Sequence, residues 1–285
     1  MRKTYLILLA CCIILIGVLV YLQIDRYRTV NNGENNPVEN DETLKVYVTD
    51  TEQTEASVPE SLPPVSGAVT ESETEPEQEP VVESTLDFNV LWETNPDICA
   101  WIEIPGMNVD YPVLQCPKGN DNKYLTTALN GKYYVGGSLF TQETYNNRDF
   151  NDRVTVIYGH WMPDRSLFGD LQRVYSNPDT FTSCDDIKIY LPDEVRHYTV
   201  FAAVPFENTH ITATYDFTSD YWYKSFFKRV SGVHALEACF NEEAFPEIGD
   251  RVIILSTCLN GDNKKRYLVM AVNRDDIKDN GVPIS

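Results

Sequence analysis

Positive charge is scarce in this chain: 23 lysines and arginines stand against 43 aspartates and glutamates, for a net charge of −20 over 285 residues. No basic stripe runs along any stretch, which argues against a nucleic acid, whose binding rests on neutralising phosphates. A glycine-rich phosphate loop is missing, as is a Cys-x-x-Cys pair, and the spacing of the seven cysteines suggests no metal site. No cofactor or metal is therefore expected. Histidine is also rare. With four in the chain, a search for a proton-handling side chain is short.

Two short apolar runs near the C-terminus carry the chemistry. Val252-Ile253-Ile254-Leu255 is followed by Ser256-Thr257-Cys258, and after a polar stretch, Leu259 to Lys265, comes Arg266 and an alternating run through Val272. Both runs read as β-strands, and the polar stretch between them as a flexible loop. An antiparallel hairpin sets the end of its first strand beside the start of its second, so Cys258 should lie next to Arg266 at one rim of a sheet. A neighbouring cation favours a thiolate, which is the nucleophilic form of cysteine. The partner for proton transfer is expected to be His160, which ends the strand-like run Arg153-Val154-Thr155-Val156-Ile157-Tyr158-Gly159. The other histidines are poorer choices: His197 follows a turn, His210 lies in a polar loop, and His234 falls in an expected helix.

The string Tyr158-Gly159-His160, then Leu255-Ser256-Thr257-Cys258, then Arg266 before an alternating strand resembles the signature of sortases, the cysteine transpeptidases of Gram-positive cell surfaces. Further blocks are similar to class B sortases in the same order: Asn95-Pro96-Asp97-Ile98-Cys99-Ala100-Trp101-Ile102, Asp110-Tyr111-Pro112-Val113, Gly136-Gly137-Ser138-Leu139-Phe140, His160-Trp161-Met162 and Leu167-Phe168-Gly169-Asp170-Leu171. The chain departs from the family at Ala100, where glycine is more usual, and at Trp161, where a smaller polar residue is common. The resemblance implies a mostly β fold, a closed antiparallel barrel of about eight strands. It also implies a C-terminal Asn-Pro-x-Thr-like or related sorting peptide as acyl donor, and a peptidoglycan cross-bridge amine or lipid-linked precursor as acceptor. Asn122, Leu125, Tyr221 and Ser256 are implied to line the substrate groove.

Three regions follow in order. Residues 1–28 hold Arg2-Lys3 and an uncharged apolar stretch from Thr4 to Ile24, long enough to span a bilayer. A cleaved signal peptide is the competing reading, but no Ala-x-Ala site follows. The expectation is a single-pass anchor at the cell membrane with the bulk of the chain outside. Residues 29–84 carry fourteen acidic residues and one base, Lys45, with five prolines from Pro59 to Pro80, which reads as an acidic disordered stalk.

Residues 85–285 have globular composition and length for one catalytic domain. Strands are expected at Trp101 to Ile104, Val109 to Leu114, Gly137 to Thr141, Val154 to Tyr158, Ile187 to Leu191 and Tyr198 to Val204, besides the final hairpin. A short N-terminal helix should end before Asn95-Pro96. Another is expected over Ser166 to Leu171. A longer one lies near residues 219–240, with Ser219 as its cap and Trp222, Phe226, Val230 and Val233 on one face. An extracellular location permits disulfides, but no pairing of Cys99, Cys116, Cys184 and Cys239 can be deduced.

The chemistry implied is acyl transfer through a Cys258 thioester, with His160 moving the proton and Arg266 stabilising the oxyanion or positioning the peptide carbonyl. Rival classes fit less well. An L,D-transpeptidase places Ser-x-Gly before its cysteine, and a papain-like peptidase runs cysteine before histidine. A pilin-polymerising sortase with a lysine acceptor and a non-enzymatic stalked surface binding module remain as alternatives.

Overall fold

The computed structural model describes residues 86–274; the expected anchor at 1–28 and stalk at 29–84 lie outside them. Among the described residues nine strands are present: β1 Ile98–Ile104, β2 Val109–Cys116, β3 Leu139–Gln142, β4 Val154–Tyr158, β5 Asp186–Tyr190, β6 Val195–Glu207, β7 Cys239–Phe240, β8 Arg251–Leu259 and β9 Asp262–Asn273. They pair in the order β5-β1-β2-β3-β4-β8-β9-β6, and β5 pairs with β6 to close the ring. This is the expected eight-stranded barrel, with β7 added outside it on β6. Two seams, β2–β3 and β4–β8, are parallel where an antiparallel barrel was expected. A parallel pair needs a long crossover, and nothing local in the sequence announces one.

The central strands are buried on both faces. Val154 and Val156 of β4, Val252 and Ile254 of β8, Leu268, Met270 and Val272 of β9 and Val204 and Phe206 of β6 form one apolar layer. The alternate residues Ile253, Leu255, Val269 and Ala271 are equally buried and by strand alternation face the other way. Double burial explains why β8 reads as a continuous apolar run rather than an alternating one.

Among the described residues five α-helices accompany the barrel: α1 Phe88–Thr94, α2 Leu171–Tyr175, α3 Pro178–Phe181, α4 Ile211–Thr214 and α5 Asp220–Ser231. Helix α5 covers the apolar layer through Tyr223, Phe226, Phe227 and Val230. Asp220 in its first turn and Lys228 and Arg229 in its last complement the helix dipole. Ser219 stands at the N-cap, but its side chain makes no capping bond. Trp222, expected on the buried face, is partly exposed, and the packed face is one residue further round. Phe226 sits at the centre, edge-on to Phe206, Tyr215, Phe217 and Phe227 at centroid distances of 5.0–5.9 Å.

Three local expectations are corrected. Ser166 to Leu171 is not a helix: a bridge between Trp161 and Leu167 folds the segment back, with positive φ at Arg165 and Leu167, and helix begins only at Leu171. The flexible loop from Leu259 to Lys265 shrinks to Asn260-Gly261, because Leu259 already pairs with Asp262. Gly261 takes φ +84°, the left-handed conformation that a tight Asn-Gly hairpin turn exploits. Lys264 and Lys265 consequently belong to strand β9. Finally, α5 ends at Ser231 with Gly232 as its C-cap, leaving His234 beyond the helix.

Candidate active site

The hairpin delivers what its register requires. Cys258 pairs with Arg266 across β8 and β9, and the Arg266 Nη1 lies 3.5 Å from the Cys258 Sγ. The same nitrogen donates to the carbonyls of Asn263 at 3.2 Å and Lys265 at 3.1 Å, so the hairpin's own backbone holds the guanidinium in place.

His160 arrives by the parallel seam. Tyr158 is level with Ser256, and the Gly159 amide donates to the Ser256 carbonyl at 3.1 Å. Parallel strands end at the same edge, and residues two apart share a face. Two steps beyond this pair the chains carry His160 and Cys258, so imidazole, thiol and guanidinium emerge at one rim. Position 159 is crowded: a Cβ there would lie 2.4 Å from Leu139 Cδ2 and 2.6 Å from Phe168 Cδ2, so a larger residue would have to push those side chains aside.

The His160 Nε2 is 2.9 Å from the Leu125 carbonyl oxygen. A carbonyl can only accept, so Nε2 carries the proton and Nδ1 is the free nitrogen of the neutral ring. Leu125 ends a 3₁₀ turn, Lys123–Leu125, and its side chain is exposed at this rim. Asn122 begins that turn and its carbonyl accepts from the Leu125 amide at 3.1 Å. Ser256 is buried one step below Cys258 on the same face, between Tyr158 and Leu268.

Tyr221 is not brought to the rim with the others. It is exposed in the first turn of α5, which Asp220 ties to Arg153 at 2.8 Å, at the end of β4 remote from His160. The last turn of the helix is the nearer one: Arg229 pairs with Glu207 at 2.7 Å and lies over the ring of Phe206, the strand partner of Arg266. Periodicity locates a helix but not the direction in which it crosses a sheet.

Sequence reasoning missed the aromatic group beside the rim. The Tyr158 ring stacks on Phe140 at 5.5 Å and lies 6.1 Å from His210, which packs on Tyr145 at 4.7 Å. Burial pushes the Tyr158 phenol up to about 12 and lowers the His210 imidazole. His210 caps α4, its Nδ1 accepting from the Ala213 amide at 3.2 Å. The available signal was the strand phase, which puts Tyr158 on the face of His160.

All five cysteines among the described residues are free thiols. Burial pushes Cys99 up to about 12 and raises Cys116 and Cys239. Among the described residues no group of three or more His, Cys, Asp or Glu is placed to hold a metal ion.

A closed β-barrel that gathers a thiol, an imidazole and a guanidinium on one rim has the makings of a cysteine acyltransferase. Residues 102–274 match the sortase domain. Sortase B of Listeria monocytogenes serovar 1/2a is 30% identical over 183 residues, covering 62% of this chain and 68% of that protein. Among solved structures, the Staphylococcus aureus sortase B-substrate complex superposes with a TM-score of 0.56 at 25% identity, over 66% of this chain and 84% of that one. A sortase B complexed with triglycine does so with the same TM-score and identity, over 66% and 85%. The chain belongs to the sortase family, and its relatives place it in class B. It is a cysteine transpeptidase that anchors surface proteins.

Proposed function

We propose that Cys258 is the nucleophile, His160 the general acid and base, and Arg266 the electrophilic partner of a two-step acyl transfer. The observation that carries this reading is the 3.5 Å contact between Arg266 and Cys258, on the rim that also bears His160. The Cys258 thiolate attacks the scissile carbonyl carbon of a C-terminal sorting signal, and the negative charge that develops on oxygen falls to the Arg266 guanidinium. His160 gives its proton to the leaving amine as the carbon–nitrogen bond breaks, which leaves a thioester. An incoming amine then loses a proton to His160, forms the new amide and releases the Cys258 thiolate.

The resemblance to class B sortases implies a peptide donor of the Asn-Pro-x-Thr or a related type, and the triglycine complex of a sortase B supports a primary amine as acceptor, here a peptidoglycan cross-bridge or its lipid-linked precursor. Asn122, Leu125 and Ser256 would line the peptide groove next to the reacting atoms, and Tyr221 would touch only a more distant part of the substrate. Residues 1–28 would anchor the enzyme in the cell membrane, and the acidic residues 29–84 would hold the catalytic domain outside, away from the anionic surface. Incubating the protein with sorting peptides and triglycine, and following adducts by mass spectrometry, tests the chemistry. Parent protein should form a thioester on Cys258 that triglycine consumes, and Cys258→Ala should form neither thioester nor product. A thioester persisting on that variant would remove Cys258 from its role.

A further inference from the structure

The Leu125 carbonyl that receives His160 is gripped from two sides by residues distant in the chain. On one side, Lys123 and Tyr124 are both tied to Asp97, the Lys123 Nζ at 2.5 Å and the Tyr124 hydroxyl at 2.6 Å from the same carboxylate oxygen. The Asn95 amide donates to the Leu129 carbonyl at 2.7 Å and approaches the Tyr124 hydroxyl at 3.4 Å, and the Tyr124 ring is buried. Burial works against the charge of Asp97, but the hydrogen bonds from Lys123 and Tyr124 outweigh it and hold the carboxyl below its usual value. The Asn95-Pro96-Asp97 segment thus fixes the turn that ends in Leu125.

On the other side stands Gly137. Its φ is +59°, and a Cβ there would lie 2.2 Å from the Tyr124 oxygen, 2.5 Å from the Leu125 oxygen and 2.7 Å from the Leu125 carbonyl carbon. The next residue locks the approach: the Ser138 amide donates to the Tyr124 carbonyl at 3.0 Å and its hydroxyl to the Thr127 carbonyl at 3.0 Å. Glycine is needed here twice over, for the left-handed backbone and for the missing side chain.

We infer that Gly137 and the Asp97, Lys123 and Tyr124 cluster are positioning residues for catalysis, which clamp the Leu125 carbonyl so that it holds the His160 ring with Nε2 protonated and Nδ1 free to exchange the proton. The inference rests on the acid and base role given to His160. A carbonyl at a fixed point does two things. It selects one tautomer of the neutral ring, and it keeps its hydrogen bond when the ring becomes imidazolium, because Nε2 is protonated in both states. Moving that oxygen by about an ångström would misalign the proton transfer without touching substrate, a displacement that costs about a hundredfold in rate.

The test compares Gly137→Ala, Asp97→Asn, Gly119→Ala and His160→Ala in steady-state transpeptidation, with the His160 ring tautomer read by ¹⁵N NMR. Gly119 also has positive φ, +84°, but nothing within 4 Å of its missing Cβ, so it carries backbone strain without the clash. Gly137→Ala should lose about a hundredfold in kcat and Asp97→Asn about tenfold, with KM within about threefold of the parent and a mixed tautomer in place of Nε2–H. Gly119→Ala should behave as the parent. If Gly137→Ala does not fold, Asp97→Asn decides, since it loosens the same carbonyl while adding no atom. Parental turnover in the folded clamp variants, or a loss of turnover with the tautomer unchanged, overturns the clamp. Should His160→Ala keep its activity, the acid and base assignment itself fails; a dead His160→Ala beside active clamp variants refutes the clamp alone.

Discussion

Replacing Arg266 by lysine keeps the charge and changes the geometry, and the structure says which matters. The arginine reaches Cys258 with Nη1 while that nitrogen is also held by the carbonyls of Asn263 and Lys265. A planar guanidinium can spend one nitrogen on this scaffold and present its others to a developing oxyanion. Lysine has one nitrogen on a mobile stem and must choose. Removing one oxyanion donor costs about 2.7–4 kcal/mol, a hundred- to a thousandfold in turnover. Because charge is retained, about a hundredfold is expected for Arg266→Lys. The neighbouring lysines provide the comparison. Lys264 and Lys265 lie in β9 rather than in a loop, yet both are exposed, and Lys265 is 4.0 Å from Asp262 in a solvent-screened pair. Lys264→Ala and Lys265→Ala should each stay within about threefold of the parent, as exposed charges usually do. Steady-state transpeptidation of a sorting peptide to triglycine measures all three. A fully active Arg266→Lys, or a lysine variant equally damaged, would refute a role that depends on the guanidinium's shape.

Two further expectations concern parts away from the rim. Phe226→Ala removes the side chain at the centre of the aromatic layer beneath α5 and should lower stability by about 3–5 kcal/mol, read as a fall in the thermal midpoint by circular dichroism. Protease added to intact protoplasts should release the catalytic domain by cutting within residues 29–84, and full protection would reverse the proposed orientation.

The strands that carry the site were legible because each borders an apolar run with a reactive residue. Val154 to Tyr158 points to His160, Val252 to Leu255 points to Cys258, and the alternation after Arg266 fixes its face. The Cys258 and Arg266 pairing followed from the adjacency of the two hairpin strands, although the register shifts between Cys258 and Leu259, a step no local signal announced. Pairing between β4 and β8 did not follow, since the two strands are distant in sequence and their side chains look the same in either direction. The resemblance to sortases supplied the barrel in its place. Local signals also misled: Ser166 to Leu171 was expected to be a short helix, but its backbone is taken by the bridge from Trp161 to Leu167.

The least legible part of the site is a backbone oxygen. The Leu125 carbonyl bonds His160 through an atom that every residue possesses, so the identity of residue 125 says nothing about it. What the sequence does record is the surroundings that such an atom needs. Asn95-Pro96-Asp97 and Gly136-Gly137-Ser138 were legible only as blocks shared with class B sortases and, from Gly137, as the start of an expected strand. Their contacts give them a shared physical task, because a carboxylate that holds Lys123 and Tyr124 and a glycine that admits the Leu125 peptide both act on one carbonyl. A rim of three reactive side chains is enough to name a chemistry; the rate at which it runs depends on residues that hold one of the three still.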